Sequence, residues 1–256
     1  MTTDSNQRGF RISKFGTGLL SAVAMLFLLA SLAPANAGDI AERRALGFSG
    51  DGRYFSFEQF GIQDGSGFPY ADIFVIDIER DQWAPDTPVR VLLKDEQAGL
   101  ASARDKAANQ AAPILNELAI NAPGRLLASN PPAETGNDPH RVSVNTRYEL
   151  QGGYRPRLFT LSEVQLPAPK ICSDVSDAPM KGFRLQSQVS GSPPVTLHED
   201  KSLPESRGCP LAYAISDVFG FRRPDGREVF AILIRTSRVG FEGPDRRFLA
   251  VTQGLD

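Results

Sequence analysis

The chain has 256 residues, of which 41% are hydrophobic and 23% charged, and its formal net charge is −2. That mildly acidic, mixed-sign balance, with no Lys or Arg cluster interleaved with aromatics, excludes a nucleic-acid-binding surface. Two histidines and two cysteines, without an HxH, HExxH or CxxC among them, exclude a zinc site of ordinary type.

Arg8, Arg11 and Lys14 precede an apolar run from Gly16 to Leu32 that ends in Ala35-Asn36-Ala37. The cationic start, the small residues at −3 and −1 and an apolar core too short to span about 30 Å of hydrocarbon comfortably predict a secretory signal peptide over residues 1–37. No cysteine stands at the cleavage point and no arginine pair precedes the core, so neither a lipoprotein nor twin-arginine export is expected. Cleavage removes three cations and one anion, taking the net charge from −2 to −4. Residues 38–256 are then expected to be exported unfolded, without a cofactor, and to fold as one periplasmic or secreted domain. No second long apolar run exists, so no membrane span is expected after cleavage.

The segment LGFSGDGRYFSFEQFGIQDGSGFPYADIFVIDI, Leu46 to Ile78, is the most informative of the chain. Tyr54, Phe55, Phe57 and Phe60 mark one strand and Ile73 to Ile78 another. Asp51-Gly52 supplies the positive φ of a tight turn, pairing Leu46 to Ser49 with Arg53 to Phe57. Ile62 to Tyr70, with its glycines and Pro69, reads as a loop of about ten residues, longer than most hairpin connections.

Asp95 to Asn121 is the one helical zone. Leu100, Ala103, Ala107 and Ala111 fall at helical spacing, and Pro113 is placed to start a second short helix through Ile114, Leu115 and Leu118. A polar loop, Ser129 to Pro139, comes next. Strands are predicted at Arg141 to Leu150, Pro156 to Leu166, Gly182 to Val189 and Leu211 to Phe219, with Gly191 to Pro210 as loop. In an oxidising compartment Cys172 and Cys209 are expected to form a disulfide, worth about 3 to 4 kcal/mol on a chain-entropy account. Turn chemistry like that of Gly47-Phe48 and Asp51-Gly52-Arg53 returns at Gly220-Phe221 with Asp225-Gly226-Arg227, and at Gly240-Phe241 with Asp245-Arg246-Arg247. Between the last two, EVFAILIRTSRV has a continuous apolar centre, the mark of a strand buried on both faces, and RFLAVT closes the sheet. The expected fold is mainly β, with antiparallel meander or propeller-like sheets and a helical insertion around residues 95–121.

The run GFSGDGRYFSFEQFGIQDGSGFPYADIFVIDI, TPVRV at Thr87 to Val91 and GFEGPDRRFLAV at Gly240 to Val251 resemble the bacterial family of predicted secreted proteins called domain of unknown function 2259. That resemblance spans nearly all of residues 38–256 and implies an exported protein, with no catalytic residue to carry over. SGDGRYFSF is also similar to one blade of TolB-type propellers, which transfers no function.

The residue types give no catalytic constellation. His140 and His198 read as solvated loop histidines. Ser49 lacks the GxSxG elbow, Ser66 has no evident base, and Gly61 to Gly67 leads into a strand where a phosphate loop needs a helix. Only Asp64 and Ser66 have calcium-loop spacing, too few oxygens for a site. The expected function is therefore a non-catalytic binding or interaction module of the cell envelope, for a protein partner or small ligand. Its candidate surface is Gln63, Asp64, Ser66, Phe68, Tyr70 and Asp72, which mixes aromatic and polar groups beside a sheet. The alternative is an envelope hydrolase working through carboxylates such as Glu58, Asp64 or Asp72, a reading that gains if the three share one concave pocket.

Overall fold

The structure is a computed structural model that describes residues 1, 38–132, 136–145 and 156–254. The chain divides into two compact units, residues 1–36 and 37–256. The expected signal peptide lies outside the described residues apart from Met1, and all the strands and helices named below belong to the second unit.

Its first sheet is built by β1 (Glu42–Ser49), β2 (Tyr54–Ile62), β3 (Pro69–Asp77), β4 (Gln82–Trp83) and β5 (Val89–Leu92). After helix α1 (Leu100–Glu117), β6 (Ile120–Ala122) completes it. The order is β4-β3-β2-β1-β6, with β5 also paired to β3. The β1–β2 turn forms as its sequence predicts. Gly52 N–H donates to Ser49 O at 2.8 Å with φ at 71°, and Asp51 Oδ1 takes the Ser49 hydroxyl at 2.6 Å and Arg53 N–H at 3.0 Å. Ser49 is thus a turn residue, and its hydroxyl oxygen also accepts Tyr54 N–H.

The chain next gives β7 (Arg125–Ser129) to a second sheet. It then lays down a meander of β8 (Arg141–Val144), β9 (Arg157–Gln165), β10 (Lys181–Val189) and β11 (Val195–Glu199), interrupted by the short helix α2 (Lys170–Ser173). It returns as β12 (Pro210–Arg222), β13 (Glu228–Arg238) and β14 (Asp245–Gly254), so the sheet begun by β7 has the order β14-β13-β12-β7. The sheet pairings are antiparallel throughout.

The three sheets stack face to face with the β12–β14 sheet in the middle. Strand periodicity makes this possible, because successive side chains of β13 point to opposite faces. Val229, Ala231 and Leu233 enter one core with Phe48, Phe55, Phe57 and Phe74 of the first sheet. Phe230, Ile232 and Ile234 enter another with Phe159, Leu161, Phe183 and Leu185 of the β8–β11 sheet. A strand with a core on each side has no polar face, hence its unbroken apolar centre. The outer face of the first sheet is covered by α1, whose Ala103, Ala107 and Ala111 pack on Ala71, Ile73 and Val91. Alanine at every fourth position lets the helix approach the sheet closely.

Three local expectations need correction. Residues 100–117 form one helix through Pro113, not two. The proline removes one backbone donor near the last turn, but Leu115 beyond it still packs on the alanine core, which holds the helix together. The stretch Gly191 to Pro210 contains β11 and a 3-10 turn at Glu205–Arg207, because Leu197 joins the second core and draws the segment into the sheet edge. The connection after β2 is residues 63–68, shorter than ten, since Gln63 N–H donates to Phe68 O at 2.9 Å and both strands extend to meet it. Of the predicted strand at Arg141 to Leu150, residues 146–150 lie outside the described residues. Cys172 of α2 is joined to Cys209 by a disulfide, pinning the β9–β10 connection to the start of β12.

Candidate functional site

Alternation along β2 and β3 sends their side chains to two different places. Phe57 and Gln59 of β2, with Tyr70, Asp72, Phe74 and Ile76 of β3, face the central sheet. Glu58 and Phe60 face α1, where Arg104 donates to Glu58 Oε1 and Oε2 at 2.9 Å each and lies 3.8 Å from the Phe60 ring centroid.

The central sheet meets this surface along β14, its edge strand. An open edge needs partners for its outward N–H and C=O groups, and here they come from several elements. Arg246 N–H donates to Asp39 O at 2.8 Å, and Ala41 N–H donates to Arg246 O at 3.1 Å. Gln59 Oε1 accepts Phe248 N–H at 2.9 Å, and Asp81 Oδ1 accepts Thr252 N–H at 2.8 Å. By the same alternation Ala250 turns its N–H to this edge, and there a cleft of about 420 Å³ opens. Its walls come from β3, β5 and β14, with Trp83 of β4, Thr236 and Arg238 of β13, and Ser206 and Arg207 of the 3-10 turn.

The lining combines aromatic surface with four arginines. Two of them are committed to buried carboxylates. Arg207 donates to Asp200 Oδ2 at 2.7 Å and to the Tyr213 hydroxyl at 3.1 Å. Arg247 donates to Asp39 Oδ2 and to the carbonyls of Asp39 and Arg246, with its guanidinium 4.6 Å from the Tyr70 ring centroid. The other two are loosely held. Arg238 is 3.5 Å from Asp245 Oδ2, and Arg90 rests over the Trp83 ring at 5.7 Å. Burial depresses the Arg238 pKa, and the neighbouring Arg247 charge lowers it further. Burial raises the Asp72 carboxyl above the ordinary carboxylate range, opposed by the hydrogen bond from Gln59 Nε2 at 3.0 Å and by the Arg90, Arg247 and Arg238 charges. Thr236 Oγ1 is buried in the same region without a hydrogen-bond partner among the described residues.

Of the six candidate residues, Gln63, Tyr70 and Asp72 line the cleft. Tyr70 is nonetheless a core residue, 5% exposed, whose hydroxyl donates to Asp39 Oδ1 at 2.9 Å. It lies across Gly61, where a Cβ would fall 2.8 Å from its Oη. Asp64, Ser66 and Phe68 belong to the turn. Ser66 Oγ donates to Gln63 Oε1 at 3.1 Å, Phe68 is half-buried, and Asp64 Oδ2 is buried without a partner among the described residues. Glu58 stands on the opposite face of the sheet from Asp72, so the three carboxylates of the hydrolase alternative share no pocket. Arg90, Arg207, Arg238, Arg247 and Trp83 escape the sequence reading because they lie on separate strands and turns. No local pattern in the sequence joins them.

His140 lies in the turn before β8 as expected but is half-buried, and His198 is on a strand and not in a loop. His140 Nε2 is 2.9 Å from Tyr213 O, and His198, on β11, stacks on Phe183 at 4.7 Å with Nε2 2.9 Å from Asp200 Oδ1. Among the described residues no three His, Cys, Asp or Glu side chains are grouped to hold a metal ion. No helix among them is long and apolar enough to cross a membrane.

A family model described as predicted secreted protein (DUF2259) matches residues 56–253, which covers the first sheet from β2 onward, the other two sheets and the whole cleft. No curated protein and no solved structure matches the chain.

Proposed function

We propose, for a chain that belongs to this family of predicted secreted proteins, that it acts in the periplasm or after release as a non-catalytic binding module whose ligand site is the cleft beside β14. The single observation behind this reading is the cleft itself. It is a concave space of about 420 Å³ with aromatic walls and a few converging polar groups, Asp72, Arg90 and Arg238 among them, on a sheet edge where the neighbouring Phe248 and Thr252 N–H groups are taken by Gln59 and Asp81. Small-ligand sites have this make-up. Weighing against the hydrolase reading, Glu58 is held by Arg104 beneath the helix while Asp72 faces the cleft, so these two carboxylates are set apart.

Native mass spectrometry of the purified protein after incubation with an envelope metabolite extract tests the proposal. Saturable retention of a small molecule is expected. It should be lost in Trp83→Ala, which removes a cleft wall from a residue that is 49% exposed and so leaves the fold intact. Retention unchanged by that substitution would place the ligand elsewhere.

A further inference from the structure

We infer, resting on the cleft as the ligand site, that its ligand is a small organic monoanion with an apolar or aromatic body, the anionic group held by Arg238 and Arg90 and the body laid against Trp83, Phe74 and Leu92.

The four arginines of the lining differ in the partners they already have. Arg207 and Arg247 each have a buried carboxylate of their own, Asp200 and Asp39, so they shape the cleft and offer little further charge. Arg238 makes no side-chain hydrogen bond among the described residues and keeps Asp245 only at 3.5 Å. Arg90 has no ion pair there, only the ring of Trp83. Both arginines act on Asp72, the one carboxylate of the lining. Arg90 faces Asp72 without an ion pair and Arg238 is shared between Asp72 and Asp245, so neither guanidinium fork is filled by a close bidentate acceptor. A planar, bidentate anion such as a carboxylate fits a guanidinium fork better than any neutral group. The environment of Arg238 agrees with this geometry, since burial and the Arg247 charge disfavour its ionised form more than Asp245 and Asp39 favour it, and an added anion opposes them. The apolar half of the lining sets the rest of the ligand. Trp83 and Leu92 are 49% and 40% exposed at the mouth, and Phe74 lies behind Trp83 with ring centroids 6.1 Å apart. A bare inorganic anion leaves that surface wet.

The test is isothermal titration calorimetry of the purified protein with three probes: 3-phenylpropanoate, its primary amide, and acetate. The carboxylate is expected to bind at least about tenfold more tightly than either of the others. Arg238→Met should bring it to the level of the amide. Arg90→Gln, at an exposed position that does not support the fold, should weaken the carboxylate severalfold and leave the amide unchanged, which keeps the inference testable if the Arg238 variant folds poorly. Equal binding of amide and carboxylate, abolished by Trp83→Ala, overturns the anionic ligand and leaves the cleft as the site. Binding insensitive to Trp83→Ala, or none with any probe, overturns both.

Discussion

Arg104 of α1 clamps Glu58 of β2 through two hydrogen bonds of 2.9 Å each, joining the helix to the first sheet on the face turned away from the cleft. The Glu58 side chain is 2% exposed and also has Arg44 Nε at 3.2 Å. Removing Arg104 leaves the buried Glu58 charge with the more exposed Arg44 alone. Arg104→Ala should therefore destabilise the fold by about 1 to 3 kcal/mol, whereas Glu58→Gln, which keeps an acceptor for Arg104, should cost less. Urea denaturation of the two variants distinguishes them, and neither should alter ligand binding. A change in affinity without a change in stability would argue that Glu58 belongs to the site.

Tyr70 combines an apolar ring in the core with a hydroxyl on Asp39, and Arg247 covers the ring. Tyr70→Ala should cost about 3 to 5 kcal/mol, as for other large aromatic deletions, and Tyr70→Phe about 1 kcal/mol for the lost hydrogen bond. Phe68→Ala, at a half-buried turn position, should have a much smaller effect. Thermal unfolding of the three variants checks this order, and equal losses for Tyr70→Ala and Phe68→Ala would contradict it.

These two residues also show how far the sequence can be read. Turn chemistry and alternation make most strands legible, because Asp-Gly turns and buried apolar runs are local signals. What joins Tyr70 to Asp39, or Arg238 and Arg247 to Asp72, is register across strands far apart in the chain, and no local pattern encodes it. The candidate surface is accordingly divided in space. Gln63, Tyr70 and Asp72 line the cleft, but the aromatic pair expected to meet a ligand is split between the core and the turn. The single helix through Pro113 is hidden for the same reason, since its support comes from the alanine contact with the first sheet and not from its own sequence.

Asp72 should give stability a particular pH dependence. Burial raises its folded pKa above the unfolded value, so between the two the native state holds a proton that the unfolded chain has lost. Stability from this group is full below the unfolded pKa and falls as pH rises through the folded one. Asp200 acts in the opposite sense. Although burial opposes it, hydrogen bonds from His198 and Arg207 hold its folded pKa down, so its contribution is present above the unfolded pKa and is lost as pH falls through the folded value. Asp72→Asn should thus flatten the decline in stability on the alkaline side of the ordinary carboxylate range, and Asp200→Asn should flatten the decline on the acid side. Denaturant midpoints measured across that range decide the matter, and an unchanged profile for Asp72→Asn would refute the assignment.

The stacking of three sheets makes a prediction about neighbours in sequence. Ile232 and Leu233 are adjacent on β13, yet Ile232 packs with Phe159 and Phe183, and Leu233 with Phe55 and Phe57. Ile232→Val should cost about 0.5 to 1.5 kcal/mol and Leu233→Ala about 2 to 5 kcal/mol. Because the two side chains share no core, their effects should add to within about 0.5 kcal/mol in a double-mutant cycle. Phe159 and Phe230 are far apart in sequence, but their rings meet edge to face at 5.8 Å in one core. Replacing both by leucine should give a coupling of about 0.5 to 1.5 kcal/mol. Strong coupling between Ile232 and Leu233, with none between Phe159 and Phe230, would mean that β13 does not separate two cores, and the layered arrangement would have to be abandoned.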